Sequence, residues 1–149
     1  MDKRIREWCF GSLDGGYDGE LFDGVLPRTD AYKGKSAEEL TYEDIAKGLL
    51  EVDTAGWAEP WEVLSKRILD GFFDAAKKAE ANGAENIVIV SHGMTIATFI
   101  KLLDSRRPKF QGLDNGSVTH LTYSDGNFSI GEIGDMSYRE LGREILNAE

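Results

Sequence analysis

Apolar and polar residues show no regular spacing over the first 34 positions and two clear periods after them. The opening stretch mixes Gly, Asp and aromatics, as in Phe10-Gly11-Ser12-Leu13-Asp14-Gly15-Gly16-Tyr17 and Phe22-Asp23-Gly24, which predicts an irregular surface excursion. Ser36-Ala37-Glu38-Glu39 has the Ser-x-x-Glu spacing in which a hydroxyl and a carboxylate satisfy each other's free helix-end N–H groups. With Leu40, Ile45, Leu49 and Leu50 beyond it, this predicts a first helix of about 14 residues, weakened in its last turn by Gly48. Pro60 suits a first helical position, where its missing N–H would be unpaired anyway. Val63, Leu64, Ile68, Phe72, Ala75, Ala76 and Ala79 then recur at helical spacing as far as Asn82-Gly83, the most clearly marked helix of the chain.

Ile87-Val88-Ile89-Val90 is short, wholly apolar and β-branched, the pattern of a strand buried on both faces of a parallel sheet, and is expected as a central strand. It ends at Ser91-His92-Gly93, after which Met94, Ile96, Ala97, Phe99, Ile100, Leu102 and Leu103 predict another amphipathic helix. After a polar loop containing Arg106-Arg107-Pro108, the alternation of Val118, His120 and Tyr123 runs into Asp125-Gly126, with Phe128, Ile130 and Ile133 beyond; this predicts a hairpin. Tyr138 to Leu146 suits a short terminal helix. No internal repeat, low-complexity tract or linker interrupts the pattern, so residues 1–149 read as a single α/β domain.

Composition narrows the function classes. Against 17 Lys+Arg stand 27 Asp+Glu, a net charge of −10, which disfavours broad binding to nucleic acid or to an anionic membrane surface. No run approaches the roughly 18 apolar residues of a membrane span, and Met1-Asp2-Lys3-Arg4 leads into no signal-type apolar stretch, so a cytoplasmic protein is expected. The one cysteine, Cys9, cannot form an internal disulfide, and no Cys/His cluster has zinc-ligand spacing, so neither a metal nor a cofactor is expected. A small anionic partner remains open, provided that a locally positive pocket receives it.

The best place for such a pocket is Ser91-His92-Gly93, because open α/β sheets bind ligands where a parallel strand feeds a helix N-terminus. Free N–H groups and the positive end of the helix dipole favour an anion there, Gly93 lets the chain turn closely around it, and a histidine adds a proton-dependent positive charge. The plainer reading is that His92 caps the helix or packs in a turn. Glu7 is a second candidate: a carboxyl beside an aromatic such as Trp8 can act as a proton donor, although composition alone equally describes a solvated Glu between charged neighbours. Cys9, between Trp8 and Phe10, reads as packing rather than as an activated thiol.

Two of these segments together resemble one family. Ile5-Arg6-Glu7-Trp8-Cys9-Phe10-Gly11-Ser12-Leu13-Asp14-Gly15 is similar to the Leu-Arg-Glu, Phe-Gly and acidic-Gly segment of histidine phosphatases of the phosphoglycerate mutase superfamily, and Ile87 to Gly93 resembles that family's apolar strand ending in Ser-His-Gly. Asn115-Gly116-Ser117-Val118-Thr119 followed by a hairpin also suits it. The resemblance implies a three-layer α/β/α sheet and metal-independent phosphoryl transfer on a small phosphorylated metabolite. One histidine attacks phosphorus and becomes a phosphohistidine. A second histidine, here His92 flanked by Ser91 and Gly93, holds the phosphoryl oxygens, and Glu7 protonates the leaving oxygen and later activates water. Dispersed phosphoryl charge needs several fixed donors, and an alkoxide leaving group needs a proton.

The chain also departs from that pattern. The family's nucleophile lies in an Arg-His-Gly motif upstream of the Glu segment, and no such motif occurs among the two histidines, His92 and His120. His120 follows Thr119 within a predicted strand and is expected to be structural. The expectation is therefore an incomplete sheet, lacking the first strand and the helix after it, in a chain that by itself is inactive. Without that strand the run at Ile87 has an open apolar edge, so pairing with another chain, as a homodimer or by strand exchange, is expected. The alternative function is a catalytically incomplete module that binds an anion at His92-Gly93 or is purely structural. The loop from Leu13 to Lys35, with Tyr17, Phe22, Arg28, Tyr32, Lys33 and Lys35, is the candidate selector of substrate, or else a cover for the core; Arg106 and Arg107 read as a solvated loop.

Overall fold

The computed structural model describes residues 1–107 and 113–148. Among the described residues, four α-helices and one hairpin carry most of the regular structure: α1 (Tyr42–Val52), α2 (Trp61–Ala81), α3 (Gly93–Leu103), β1 (Leu121–Ser124), β2 (Asn127–Ile130) and α4 (Ser137–Asn147). Among the described residues the sheet is the antiparallel pair β1-β2, in the register Leu121 to Ile130 and Ser124 to Asn127. Asp125 (φ 51°) and Gly126 (φ 77°) make its turn, since both central residues of a tight right-twisted hairpin need positive φ. The ladder continues outward through Val118, which bridges Asp135.

The core lies between α1, α2, α3 and the irregular N-terminal third. Leu64, Ile68 and Phe72 of α2 join Ala97 and Phe99 of α3 in one buried cluster, and the rings of Phe72 and Phe99 stack at 4.2 Å with planes 12° apart. Phe128 of the hairpin meets Phe99 edge-on at 5.2 Å, which fixes the hairpin against the helices. Phe99, Leu26, Leu49, Leu64 and Ile68 are fully withdrawn from solvent, each worth about 1.5–3 kcal/mol of apolar burial.

Three expectations change. The first helix begins at Tyr42, not near Ser36: Thr41 Oγ1 accepts from the Asp44 N–H at 3.2 Å while the Thr41 N–H donates to Asp44 Oδ2 at 3.0 Å. Ser36 and Glu39 close a separate turn, in which the Ser36 N–H donates to Glu39 Oε2 at 2.8 Å. Nor is the N-terminal stretch a surface excursion throughout: Asp14 to Glu20 are exposed, but other parts turn inward. An irregular stretch delivers Trp8, and short helical turns deliver Leu21, Leu26 and Tyr32, into the core. Finally, Ile87–Val90 has no strand partner among the described residues and is not buried on both faces: Ile89 packs on the core, while Val88 and Val90 are 92% and 86% exposed. Elsewhere the periodicity holds, with α2 ending at Ala81, capped by Asn82 ahead of Gly83 at φ +69°, and α3 starting at Gly93 behind His92. Pro108 lies outside the described residues.

Candidate functional site

Glu7 and the Ser91-His92-Gly93 turn meet at the N-terminus of α3. His92 is the residue before the first helical turn, with extended backbone (φ −121°, ψ 159°), and its exposed side chain makes no capping bond to the helix. The free N–H groups of that turn are satisfied instead by Glu7, which comes from a segment far away in sequence. Thr95 N–H donates to Glu7 Oε1 at 3.0 Å and Met94 N–H donates to Glu7 Oε2 at 3.3 Å. A carboxylate at this position also faces the positive end of the helix dipole. The Trp8 N–H adds a third donor to Oε1 at 3.0 Å, and Thr95 Oγ1 lies 3.0 Å from the same oxygen while donating to the Arg6 carbonyl at 2.7 Å.

The two oxygens of Glu7 are therefore unequal. Oε1 is anchored by the N–H groups of Trp8 and Thr95, whereas Oε2 has only the long Met94 contact, so Oε2 retains the greater lone-pair capacity. His92 leaves its ring free for a ligand, because the Glu7 carboxylate already does the capping.

The surrounding structure fixes this pair from both sides. Ser91 Oγ donates to the Ile5 carbonyl at 2.7 Å, tying the turn to the segment that carries Glu7. The next residue, Trp8, is buried and donates from its indole N–H to Thr98 Oγ1 of α3 at 3.2 Å. Gly71 of α2 lets the main chain come in close: a Cβ there would stand 2.7 Å from Ile5 Cγ2 and 3.0 Å from Arg4 Cβ. At the far side of Phe10, Asp53 accepts from the N–H groups of Ser12, Ala55, Trp57 and Ala58, and the Ala58 bond foremost holds its carboxyl well below the usual carboxylate range. Gly11, at φ +64°, sits directly on that carboxylate, where a Cβ would fall 2.3 Å from Asp53 Cγ.

Other candidates lie elsewhere in function. Tyr32 is buried against α1, and burial, followed by the charge of Asp44, pushes its hydroxyl up to about 12. Lys35 pairs with Asp44 at 2.5 Å. Arg106 and Arg107 both lean on Asp104, at 3.0 Å and 3.7 Å. His120 Nε2 lies 3.6 Å from Asp135 Oδ2, with its ring beside Tyr138. The Cys9 thiol is pushed up by partial burial, the opposite of an activated nucleophile. Among the described residues no helix is long and apolar enough to cross a membrane.

Thr95, which donates to Glu7, and Arg67, whose guanidinium donates to the Glu7 carbonyl at 3.0 Å and to Glu59, belong to no motif in the sequence. Arg67 left a trace, since a charged residue stands on the stripe Leu64, Ile68, Gly71, Phe72 that α2 turns inward.

Comparison with known proteins agrees with the geometry. The profile of the histidine phosphatase superfamily (branch 1) matches residues 1–136. The crystal structure of phosphoglycerate mutase from Bacillus anthracis str. Sterne superposes with a TM-score of 0.82 at 31% identity, over 95% of this chain and 62% of the mutase. The chain thus has the phosphoglycerate mutase α/β fold with an incomplete sheet, and spans less than two thirds of that relative. No curated protein sequence matches it. The match over residues 1–136 places this chain in the histidine phosphatase superfamily.

Proposed function

We infer that residues 1–149 form the acid and phosphate-holding half of a phosphoryl-transfer site acting on a small phosphorylated metabolite. The observation that carries this reading is the convergence of Glu7 and His92 on one helix N-terminus, with Glu7 Oε2 and the His92 ring both left available. A phosphoryl group placed there meets the His92 ring beside the Gly93 turn, next to the Glu7 carboxylate that takes the Met94 and Thr95 N–H groups. In the first step a histidine nitrogen attacks phosphorus, a P–N bond forms, the P–O bond to the substrate breaks, and Glu7 gives its proton to the departing oxygen. In the second, water attacks phosphorus as the P–N bond breaks and Glu7 takes the proton from water.

The attacking histidine comes from outside these residues. Of the two histidines, His92 is in the holding position and His120 is engaged with Asp135. For residues 1–149 alone this same observation favours the second reading, an anion-binding module without turnover. The exposed Val88 and Val90 offer the edge on which a further strand, from a longer product or from a second copy, would pair.

Intact mass of the protein purified from its native locus, combined with its hydrolysis of an aryl phosphate without added metal, separates the two. A larger mass with turnover that is lost in His92→Ala supports the enzyme reading. A mass equal to this chain with no turnover leaves the binding module; turnover by this chain alone contradicts both assignments of roles.

A further inference from the structure

We propose that Arg67, held in place by Glu59, is the positioning residue that aims Glu7 at the mouth of α3. The proposal rests on the role just given to Glu7 and adds the device that sets its geometry. Arg67 is a charged side chain only 9% exposed on the inward stripe of α2, and Glu59 beside it is 12% exposed. Burying such a pair is costly unless every donor is used. Every donor is used. The Arg67 Nε–H donates to Glu59 Oε1 at 2.7 Å and Nη2 donates to Glu59 Oε2 at 2.7 Å. Nη1 donates to the carbonyls of Arg4 at 2.7 Å and Arg6 at 3.1 Å, and Nη2 donates to the carbonyl of Glu7 at 3.0 Å.

Those bonds account for the five N–H groups of a guanidinium, and three of them end on the main chain of residues 4–7. The segment has no helix or strand ladder to set its path past Ile5, so the guanidinium supplies to its carbonyls the donors that a ladder would. Because the Glu7 carbonyl is one of them, the position of the Glu7 Cα, and with it the reach of the carboxylate to Met94 and Thr95, is set from α2. Glu59 also takes the Arg6 Nη2 at 2.8 Å, which closes the network on the residue before Glu7. Although burial alone would raise it, the hydrogen bonds and charge of Arg67, with Arg6, keep the Glu59 carboxyl below its ordinary value, so the clamp is charged near neutrality. Lysine, with three donors on a point charge, cannot reproduce this fan.

Amide spectra of the full 149-residue chain test the proposal without any catalysis. Glu7→Gln defines how far the Met94 and Thr95 amide signals move when the carboxylate acceptor is replaced. Arg67→Lys should move the same two amides in the same direction by more than half that displacement, with the Phe72 and Phe99 signals at their wild-type positions. A folded Arg67→Lys chain whose Met94 and Thr95 amides stay at the wild-type shifts overturns the proposal. If Arg67→Lys does not fold, Glu59→Gln is read by the same two signals: displacement supports the clamp and wild-type shifts contradict it. Failure of the acid role shows separately, as unchanged turnover in Glu7→Gln of a nucleophile-bearing form while the amide displacement persists.

Discussion

Glu7 and Thr95, 88 positions apart in the chain, are joined twice: the Thr95 N–H donates to Glu7 Oε1 at 3.0 Å, and Thr95 Oγ1 lies 3.0 Å from that same oxygen. The contact makes one carboxylate both the cap of α3 and the neighbour of His92. Both oxygens cap the helix, but unequally: Oε1 takes the Thr95 N–H at 3.0 Å, and Oε2 has the single, longer Met94 contact at 3.3 Å.

Replacing Glu7 by Gln keeps the shape and removes the proton-carrying oxygen. In a nucleophile-bearing form, hydrolysis of an alkyl phosphate should fall by about 10²–10⁴-fold, the usual worth of general acid–base help, whereas an aryl phosphate with a good leaving group should lose far less. Steady-state rates on the two substrate types check this; equal losses on both would remove Glu7 from proton transfer.

The apolar edge predicts self-association. Val88 and Val90 are almost fully exposed, so Val88→Lys with Val90→Lys should change stability by no more than about 0.5 kcal/mol per site. Sedimentation at rising concentration should show the wild-type chain associating and the double variant remaining monomeric. A wild-type chain that stays monomeric at millimolar concentration would refute pairing through this edge.

Acid should loosen the loop that backs the site. The folded Asp53 carboxyl is held below its ordinary 3.8 by backbone donors, the Ala58 N–H first. A lowered folded value stabilises the fold fully above the unfolded value, and this contribution is lost as pH falls below about 3.8 toward the folded one. Melting temperatures at neutral pH and near pH 3 should therefore drop more for wild type than for Asp53→Asn. Equal drops would assign the acid sensitivity to other groups.

Much of this architecture could be read from residue order, and the exceptions share a cause. The apolar stripes of α2 and α3 and the Asp125-Gly126 turn are local properties, and the structure has them where the periods put them. Ser36-x-x-Glu39 and Thr41-x-x-Asp44 offer equivalent capping signals. Tertiary packing decides between them, because Asp44 is buried and paired with Lys35 whereas Glu39 only closes a turn. Trp8 from an irregular stretch, and Leu21, Leu26 and Tyr32 from separate short turns, enter the core one at a time, which leaves no period to detect. The Ile87–Val90 run announces a strand, yet whether it is covered depends on a partner that no local pattern encodes. His92 and Glu7 were legible as motifs, but the asymmetry of the Glu7 oxygens and the Arg67 clamp are consequences of distance alone.

Titration of the 149-residue chain with inorganic phosphate, followed by the ring signals of His92 and the amides of Gly93, Met94 and Thr95, tests the central claim most directly. The account predicts saturable displacement of these signals together, and binding weakened at least tenfold, about 1.4 kcal/mol, in a folded His92→Ala variant. Saturable binding that leaves these residues unmoved, or no binding at all, would contradict a phosphate-holding site at the start of α3.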